Sequence, residues 1–527
     1  MQILFCQKHK LSGMRIAGSL MIAACVGAVS AAHAQDVAEA FNLSNLTVQG
    51  TARSMGFGNA LGSVGGDFSS VSVNPAGLGI YRSSELMFTP SLRINGSKSD
   101  YLGNSTTDNN TRFNINNFGL VLTGARKGRR YDRSDWKSVS FAMGMNRVAD
   151  FNHDYHYSGR NITSSGSQVF ESDANAYPND VTTNAGALGY MGYQSYLLDP
   201  YGTNTYKSIV PFTGGVDQLK SVRTRGGISE FTGSLAGNYK EKLMLGATVG
   251  VSGVNYSSTS YYQETLSAGN QAANPRGFDY FQYNQQLNVT GVGVNLKLGA
   301  IYKISDVVRV GAAFHSPTLY SLSETYTPSL TVAHNDSVAT LTVGNGSITG
   351  SQYDYNLTTP WKGVLSATFV LKGIGFVTAD YEYVSYNSMR YMYSGGFDNY
   401  NGVSYQYEQD QMNNTIQDTY KGASNFRIGA EGLINKYLMA RAGFGYYGNA
   451  YKSSDYNSQR IDVSLGLGVH FDYFFADLVV VHSAYQNKEQ PYNVNFANVV
   501  SGPAVTIPTA TTNMNLNNVA MTVGFKF

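Results

Sequence analysis

Charged residues are scarce inside the alternating apolar and polar segments of this sequence, so the few that occur there are the first candidates for chemistry. A guanidinium or ammonium group held in an apolar interior can receive the carboxylate of a ligand. The same group can instead pair with an acid on a neighbouring strand and brace the interior, and this is the interpretation favoured for any single residue. The basic candidates are Lys297, Arg309, Arg427 and Arg441, and the acidic partners are Asp380, Glu382, Glu431, Asp462 and Asp477.

Motifs for catalysis or metal binding are weak. His153 and His156 flank Asp154, but residues three apart in an extended segment point to opposite faces, which argues against a metal site. The glycines of residues 56–62 lack the preceding strand and the spacing of a dinucleotide-binding loop. No Gly-x-Ser-x-Gly motif occurs in the sequence. We therefore expect no enzymatic activity, no metal site and no cofactor.

The charged candidates lie on predicted strands that have one apolar and one polar face. In Val519–Phe527, apolar side chains fill the odd positions, and Ala, Thr, Gly and Lys fill the even ones. Successive side chains of a strand point to opposite faces, and about nine to eleven tilted residues cross a bilayer. Fourteen such segments are predicted, namely Ser84–Ile94, Asn114–Thr123, Trp136–Asn146, Ile228–Tyr239, Leu243–Tyr256, Gln286–Tyr302, Val308–Leu322, Tyr355–Leu371, Gly375–Arg390, Asn425–Ile434, Leu438–Tyr447, Ile461–Phe471, Phe474–Gln486 and Asn517–Phe527.

The spacers between these segments alternate in length. Short turns such as Lys240–Lys242 and Asp472-Tyr473 alternate with long polar loops such as 257–285 and 391–424. Bacterial outer-membrane barrels have short periplasmic turns and long external loops. The spacer Gly124–Asp135 is an exception, and it is either a solvated basic turn or a sign that the second strand is misplaced. Because long loops rarely lack structure, the largest one, 147–227, is predicted to contain short helices that form a lid.

Composition limits the class of protein without deciding it. Charged residues make up 14% of the 527 residues, and Tyr (39), Phe (26) and Gly (57) are abundant. Beyond the N-terminus no apolar run approaches the length of about 18 residues that a transmembrane helix needs. Aromatic girdles and small interior residues are typical of a membrane barrel. A secreted all-β adhesin has a similar composition.

The N-terminus has the pattern of a signal peptide, residues 1–34. Basic residues precede the apolar core Ile16–Val29, and Ala32-His33-Ala34 forms a cleavage site, so the mature chain is expected to begin at Gln35. An alternative is a lipoprotein with an acylated Cys25. Both cysteines, Cys6 and Cys25, lie in this segment, and its removal changes the net charge from +2 to −1. That balance gives no support for nucleic-acid binding.

Residues 35–83 differ from the strand segments that follow. A compact, glycine-rich stretch from Gln49 to Ala60 leads to Asp67 and then to Asn74-Pro75-Ala76. An Asn-Pro pair starts a turn, and proline suits an irregular element better than a central strand. A segment of this size is about large enough to fill the base of a fourteen-strand lumen, since barrel diameter grows with strand number.

Residues 48–94 resemble the N-terminal region of the FadL-type long-chain fatty acid transporters, through the Ala-Arg-Ser-Met-Gly run at 52–56 and the triplet Asn74, Pro75 and Ala76. The resemblance implies an all-β protein: a 14-stranded antiparallel transmembrane β-barrel, residues 84–527, with a hatch, residues 35–83, that plugs the periplasmic end. It implies ligand capture by loops, an interior pocket and a lateral exit at a kinked third strand. Here that strand, Trp136–Asn146, contains Gly144 and no proline. The terminal Phe525 and Phe527 resemble the assembly signal of outer-membrane barrels.

The sequence and this resemblance together predict a channel in the outer membrane of a Gram-negative bacterium. Its expected function is passive uptake of hydrophobic small molecules such as long-chain fatty acids. The expected partners are that ligand, the outer-membrane lipids and glycolipid, and the barrel assembly machinery, with no nucleic acid, and the chain is expected to be a monomer. The alternatives are a barrel-anchored interaction protein for surface or secreted proteins, and a general porin. The hatch argues against the porin, because a porin needs an open lumen.

Overall fold

A computed structural model describes residues 37–126, 128–183, 187–211, 214–267, 274–335, 337–342, 351–393, 399–400, 403–502 and 506–527. The predicted signal peptide, Cys25 and the expected start at Gln35 lie outside these residues. No helix in the described part of the chain is long and apolar enough to cross a membrane.

Fourteen antiparallel strands form a closed barrel, because the first strand pairs with the last in a register that begins at Glu85↔Lys526. The predicted strand number and order are confirmed. Strands β3, β7, β8 and β9 are each built from two segments. The strands are β1 (Glu85–Tyr101), β2 (Asn104–Ala125), β3 (Trp136–Asp150 and His153–Asn161), β4 (Val216–Tyr239), β5 (Leu243–Leu266), β6 (Phe278–Lys303), β7 (Val308–His315 and Leu319–His334), β8 (Ser351–Thr358 and Lys362–Leu371), β9 (Gly375–Ser385 and Arg390–Tyr393), β10 (Gly422–Leu433), β11 (Leu438–Tyr447), β12 (Arg460–His470), β13 (Phe474–Glu489) and β14 (Ala510–Lys526).

Helices and short strands lie before the barrel, in the spacer 124–135, between the two segments of β9 and in the long loops. The N-terminal segment contains α1 (Val37–Ser44), α2 (Ala52–Gly56), α3 (Ser70–Val73) and the 3-10 helix Pro75–Ile80. The other helices are α4 (Arg129–Arg133), α5 (Ser167–Ala176), α6 (Asp180–Thr183), α7 (Leu188–Gln194), α8 (Tyr405–Thr419) and the 3-10 helices Tyr386–Ser388 and Phe496–Asn498. Short strands lie at Leu198–Gly202, Thr205–Ser208, Ser337–Thr342, Asn399–Tyr400 and Val403–Ser404.

The barrel is apolar outside and polar within, as the alternation predicts. On β12, Leu465 and Leu467 are exposed at 65% and 53%, whereas the intervening Ser464 is buried. At the C-terminus, Phe525 and Phe527 are exposed, and Phe527 exchanges backbone hydrogen bonds with Ser84 beside the start of β1. The outward apolar residues of the strands form a continuous belt of the kind that contacts lipid.

The long loops form a second folded layer above this belt. Strands β4, β5 and β6 contain 24, 24 and 26 residues, more than twice the length that crosses a bilayer. Their outer ends pack with α5, α6 and α7 around Phe170, Met191 and Phe281. The two ends of the predicted loop 147–227 belong to strands β3 and β4, and the predicted short helices lie between them. At the opposite end, the basic spacer 124–135 contains α4, and β2 pairs with both neighbours up to this turn, so the second strand is not misplaced.

Glu241 joins several segments on the side of the short turns. Its carboxylate accepts hydrogen bonds from Arg82 at 2.6 Å and from Tyr131 at 2.9 Å, and it lies 3.7 Å from Lys303. Partial burial raises the pKa of Glu241, but the Tyr131 hydrogen bond and the Arg82 charge outweigh that effect. The pKa of this carboxyl therefore lies below its usual range.

A small pH-dependent stabilisation is expected from Glu241. A depressed carboxyl pKa stabilises the fold above the unfolded-state pKa, and this contribution is lost as the pH falls through the folded-state pKa. Denaturant unfolding in detergent at pH 7 and pH 3 should show a slightly smaller pH difference for Glu241→Gln than for the wild type. The effect is small because the pair with Arg82 is partly exposed and screened. An unchanged pH difference in the variant would contradict this role.

Candidate functional site

The N-terminal segment Val37–Ile80 lies inside the barrel and is held there by polar contacts with the wall. The Ala52 amide donates to Thr522 Oγ1 on β14 at 2.6 Å, and the Gly62 amide donates to Asp380 on β9 at 3.0 Å. Apolar side chains such as Phe57 and Phe68 are fully buried between the segment and the strands. The segment therefore packs against the inner wall of the barrel.

Asn74 is the most strongly anchored residue of the Asn74-Pro75-Ala76 triplet. Its Nδ2 donates to the carbonyl of Gly62 at 2.6 Å and lies 3.2 Å and 3.4 Å from the carbonyls of Ala300 and Ala312 on β6 and β7. Its Oδ1 accepts the Ala76 amide at 3.1 Å, which caps the following 3-10 helix. One buried amide thus links two parts of the segment to the wall.

Wall glycines make this close approach possible. A Cβ added at Gly299 on β6 would lie 1.9 Å from Asn74 Oδ1, and one at Gly246 on β5 would lie 2.4 Å from the Pro75 carbonyl carbon. Glycine removes the side chain where another backbone approaches a strand closely. Gly246 and Gly299 are therefore part of the wall surface on which the N-terminal segment packs.

A buried network of charges joins the segment to four strands. Arg53 of α2 pairs with Glu431 at 2.9 Å, Glu431 pairs with Arg441 at 2.6 Å, and Arg441 pairs with Asp477 at 2.6 Å. His470 contacts the same Asp477 at 3.0 Å. Of the predicted ligand-binding cations, Arg441 therefore has a bracing position, with a side chain that is fully buried.

The other predicted charged residues separate into two environments. Arg309 donates to the Val64 carbonyl at 3.3 Å, and Asp462 pairs with Arg460 at 3.0 Å. Arg427 lies 3.3 Å from Glu382 and 3.7 Å from Asp380. Lys297 pairs with Glu230 on β4, an acid that was absent from the predicted set. Lys297 and Arg427 line a cavity in the middle of the barrel, whereas Arg309 and Arg441 contact the N-terminal segment and the wall.

Two adjacent cavities occupy the middle of the barrel. One, the central cavity, has about 720 Å³ of empty space including its mouth, and the other has about 600 Å³. Both are lined by Thr47, Val48, Asn59 and Tyr447, so the chain between α1 and α2 separates them. The central cavity extends from Val148 on β3 to the interior face of β7 and β8.

Three cations line the central cavity, and one of them has no ion-pair partner among the described residues. Lys297, Lys362 and Arg427 line it together with Glu230 and Glu382. The ammonium group of Lys362 contacts the Leu46 carbonyl at 3.4 Å and forms no ion pair within the described residues. The Nη2 atom of Arg427 lies 3.7 Å from Asp380. Lys362 is therefore the lining cation that can receive an anionic group.

Lys362 was missed by the sequence reasoning, although a signal was present. It has the same parity along β8 as Val364 and Thr368, whose side chains are buried toward the interior. The predicted strand Tyr355–Leu371 included this position, so its alternation pattern assigns Lys362 to the polar face. The pattern does not show whether an acidic side chain lies within reach of Lys362.

Strand β3 is kinked where it leaves β2. The β2–β3 ladder ends at Asn117↔Asn146, and the register of β3 against β4 shifts between Arg147 and Ala149. The carbonyls of Arg147 and Val148 accept hydrogen bonds from the Gln49 and Thr47 amides, each at 2.8 Å. The N-terminal segment therefore takes the place of β2 as the partner of β3 at this point. Gly144 lies before the kink, within the regular ladder.

Side chains, in place of a backbone ladder, bridge the resulting seam between β2 and β3. Asn114 donates to Asp150 at 2.8 Å, Asn110 donates to Asp154 at 3.1 Å, and His156 contacts Asp108 at 2.6 Å. His153 and His156 thus lie in strand β3, and His156 has a carboxylate partner. No cluster of three or more metal-binding side chains is found among the described residues.

An apolar cluster lies above the cavities. Phe41 of α1 stacks on Tyr420 with ring centroids 5.3 Å apart and contacts Tyr386 and Tyr451. Leu322, Leu357 and Ile416 are buried in the same cluster. Aromatic and aliphatic side chains therefore form a packed apolar layer in this part of the barrel interior.

Comparison with known proteins finds no matching family model and no match among curated proteins. The structure is similar to the crystal structure of a Pseudomonas aeruginosa FadL homologue, with a TM-score of 0.52 and 14% sequence identity over 91% of this chain and 99% of that one. It is also matched to the Ralstonia pickettii toluene transporter TbuX at a TM-score of 0.47 and 16% identity, over 92% and 100% of the two chains.

The first of these likenesses shows the fold. The chain has the 14-stranded barrel fold of FadL-type proteins, as the sequence resemblance predicts. A closed antiparallel barrel with an outward apolar belt is the architecture of bacterial outer-membrane proteins.

Proposed function

We propose that this protein is an outer-membrane channel for passive uptake of amphipathic molecules with a long apolar tail and an acidic head, such as long-chain fatty acids. The N-terminal segment is the hatch that blocks aqueous flow. The ligand is captured by the apolar cluster, held in the central cavity, and released sideways through the wall. We choose a ligand with an acidic head because Lys362 lines the central cavity and has no ion-pair partner among the described residues.

The lumen favours such a ligand over a polar solute or a pure hydrocarbon. An apolar chain gains free energy by leaving water for the aromatic cluster around Phe41. A cation held partly away from water without an ion-pair partner is costly, and a ligand carboxylate would offset that cost at Lys362. A hydrocarbon lacks the group that would do so.

Replacing Lys362 by methionine should weaken binding of palmitate. A charge-assisted hydrogen bond contributes about 1.5–3 kcal/mol, so the dissociation constant should rise by roughly one to two orders of magnitude. Native mass spectrometry and tryptophan fluorescence titration of the detergent-purified protein measure this effect. Palmityl alcohol, which has the same tail and no charge, should bind both proteins equally.

The matched control is Lys372→Met. Lys372 lies in an exposed turn and pairs with the exposed Asp306, away from the cavity. Its replacement should leave palmitate binding unchanged. Equal loss of palmitate and palmityl alcohol affinity in Lys362→Met would indicate a structural defect, and no loss in either would contradict the proposed site.

Single-channel conductance separates this proposal from a general porin. A lumen filled by Val37–Ile80 should give no large, stable open current in planar bilayers, whereas an open porin would. Uptake of radiolabelled palmitate by cells that contain or lack the protein separates it from a barrel-anchored interaction protein. Unchanged uptake together with tight co-purification of a protein partner would favour the interaction protein.

A further inference from the structure

Strands β7 and β8 are interrupted side by side. Residues 316–318 separate the two segments of β7, and residues 359–361 separate those of β8. The pairing register is the same on both sides of the interruption, with His315↔Lys362 below and Leu319↔Thr358 above. This register sets Pro317 directly opposite Pro360. Since proline has no backbone N–H, neither residue can donate across the pair.

Few hydrogen bonds hold the two strands together at this level. The Thr359 amide donates to the Thr318 carbonyl at 3.0 Å, and the Thr318 amide donates to the Thr359 hydroxyl at 2.8 Å. The neighbouring strands are irregular at the same height. Strand β9 is interrupted by the 3-10 helix Tyr386–Ser388, and the register of β6 against β7 shifts by one residue beside Ser316.

The interruption separates the central cavity from the lipid-facing surface. Ser316, Thr318, Thr359 and Pro360 all line the cavity from the inside, next to Lys362. On the outside, Trp361 is 37% exposed and its ring stacks near Phe314 with centroids 6.3 Å apart. One layer of residues with a weakened ladder thus divides a basic cavity from an apolar surface.

The interruption lies in the outer half of the lipid-facing apolar belt. It follows the 8-residue segment Val308–His315, which starts at a short turn. With the rise and tilt of barrel strands, this corresponds to roughly 20 Å above the periplasmic edge. The exposed Leu319 continues the apolar belt just above it. The interruption therefore faces acyl chains, not water.

We infer that the Pro317–Pro360 interruption is a lateral portal between β7 and β8, through which the apolar tail of a ligand passes between the central cavity and the outer leaflet. This inference rests on the proposed function and adds a route distinct from the kink of β3. The β2–β3 seam is bridged by charged and amide side chains. The β7–β8 interruption is flanked on its outer side by the apolar side chains of Trp361, Phe314 and Leu319.

Closing the portal with a disulfide tests the route. Thr318 and Thr359 lie at opposed positions of an antiparallel pair, a separation that a disulfide can bridge, and no cysteine follows Cys25 in the chain. Oxidised Thr318→Cys/Thr359→Cys should take up palmitate severalfold more slowly than the wild type, and a reductant should restore the rate. The matched control is Ala312→Cys/Leu365→Cys, which joins the same strands at an opposed pair below the interruption.

The outcomes distinguish the portal from the channel itself. If the oxidised Thr318/Thr359 variant transports palmitate normally, the portal is refuted and the proposed function stands. Equal slowing by the Ala312/Leu365 disulfide would also refute the portal, since any stiffening of the two strands would then suffice.

A second measurement does not depend on transport. The chain has two tryptophans, so Trp136→Phe leaves only Trp361, and Trp361→Phe leaves only Trp136 at the other end of the barrel wall. Dibromostearate should quench Trp361 fluorescence saturably and more strongly than it quenches Trp136, and the oxidised Thr318/Thr359 disulfide should remove the excess. Equal, non-saturable quenching of both tryptophans would overturn the portal even if no uptake were observed.

Discussion

Replacing Glu431 by glutamine is expected to destabilise the barrel strongly. The carboxylate holds Arg53 at 2.9 Å and Arg441 at 2.6 Å, and both guanidinium groups are largely buried. Glutamine keeps the shape but leaves the two cations short of negative charge. Removing one partner of a buried ion pair typically lowers the free energy of unfolding by about 3–5 kcal/mol. The midpoint of denaturant unfolding in detergent, followed by the gel mobility shift of the folded barrel, measures the loss.

Asp306→Asn is the matched control, because it removes one partner of an ion pair that is exposed on both sides. Exposed pairs contribute little to stability, so the unfolding midpoint should not change. A second variant, Arg53→Met, removes the cation that belongs to the N-terminal segment while Glu431 keeps Arg441. Arg53→Met should lower the unfolding midpoint less than Glu431→Gln does. A Glu431→Gln midpoint equal to that of the wild type would show that the network does not stabilise the barrel.

Replacing Asn74 by alanine is expected to lower palmitate uptake severalfold while the barrel still assembles. The Asn74 amide connects the Gly62 carbonyl to the β6 and β7 carbonyls and caps the helix that follows. Each buried hydrogen bond contributes about 0.5–1.5 kcal/mol, and Asn74 directly follows Ser72 and Val73, which line the central cavity. Since none of these bonds belongs to the strand ladder, barrel closure should not depend on them.

Uptake of radiolabelled palmitate and the fraction of heat-modifiable barrel in the outer membrane are the two measurements for Asn74→Ala. Asn515→Ala is the control, because Asn515 is an exposed asparagine on β14. Unchanged uptake in Asn74→Ala would count against a hatch role for residues 37–80. A parallel loss of assembled barrel would assign Asn74 to folding and not to transport.

Much of the fold could be predicted because the strands of a membrane barrel alternate between lipid-facing and interior residues. A residue that faces lipid must be apolar, and its neighbours along the strand face the interior. The alternation in Ile461–Phe471 therefore predicts both a strand and its two faces, and exposed Leu465 beside buried Ser464 confirms it. The short spacers predicted the strand order in the same way, since hairpin neighbours are neighbours in the barrel.

The candidate site was predictable only in part. Arg427 and Lys297 are predicted as interior cations, and the same pattern groups Arg441 with them. The structure shows that Arg441 is fully buried and paired with two acids. Lys362 was not singled out. The parity of a residue predicts the face it occupies, but it contains no information about which opposite charge lies within reach across the lumen.

The amino-acid sequence alone determined the strands, their faces and their number, because each depends on residues two positions apart. The tertiary structure alone decided three properties that depend on residues far apart in the chain. These are the lack of an ion-pair partner for Lys362 within the described residues, the kink of β3 where Thr47 and Gln49 replace β2, and the opposition of Pro317 to Pro360. Each requires the register between strands and the position of the N-terminal segment, which local alternation does not contain.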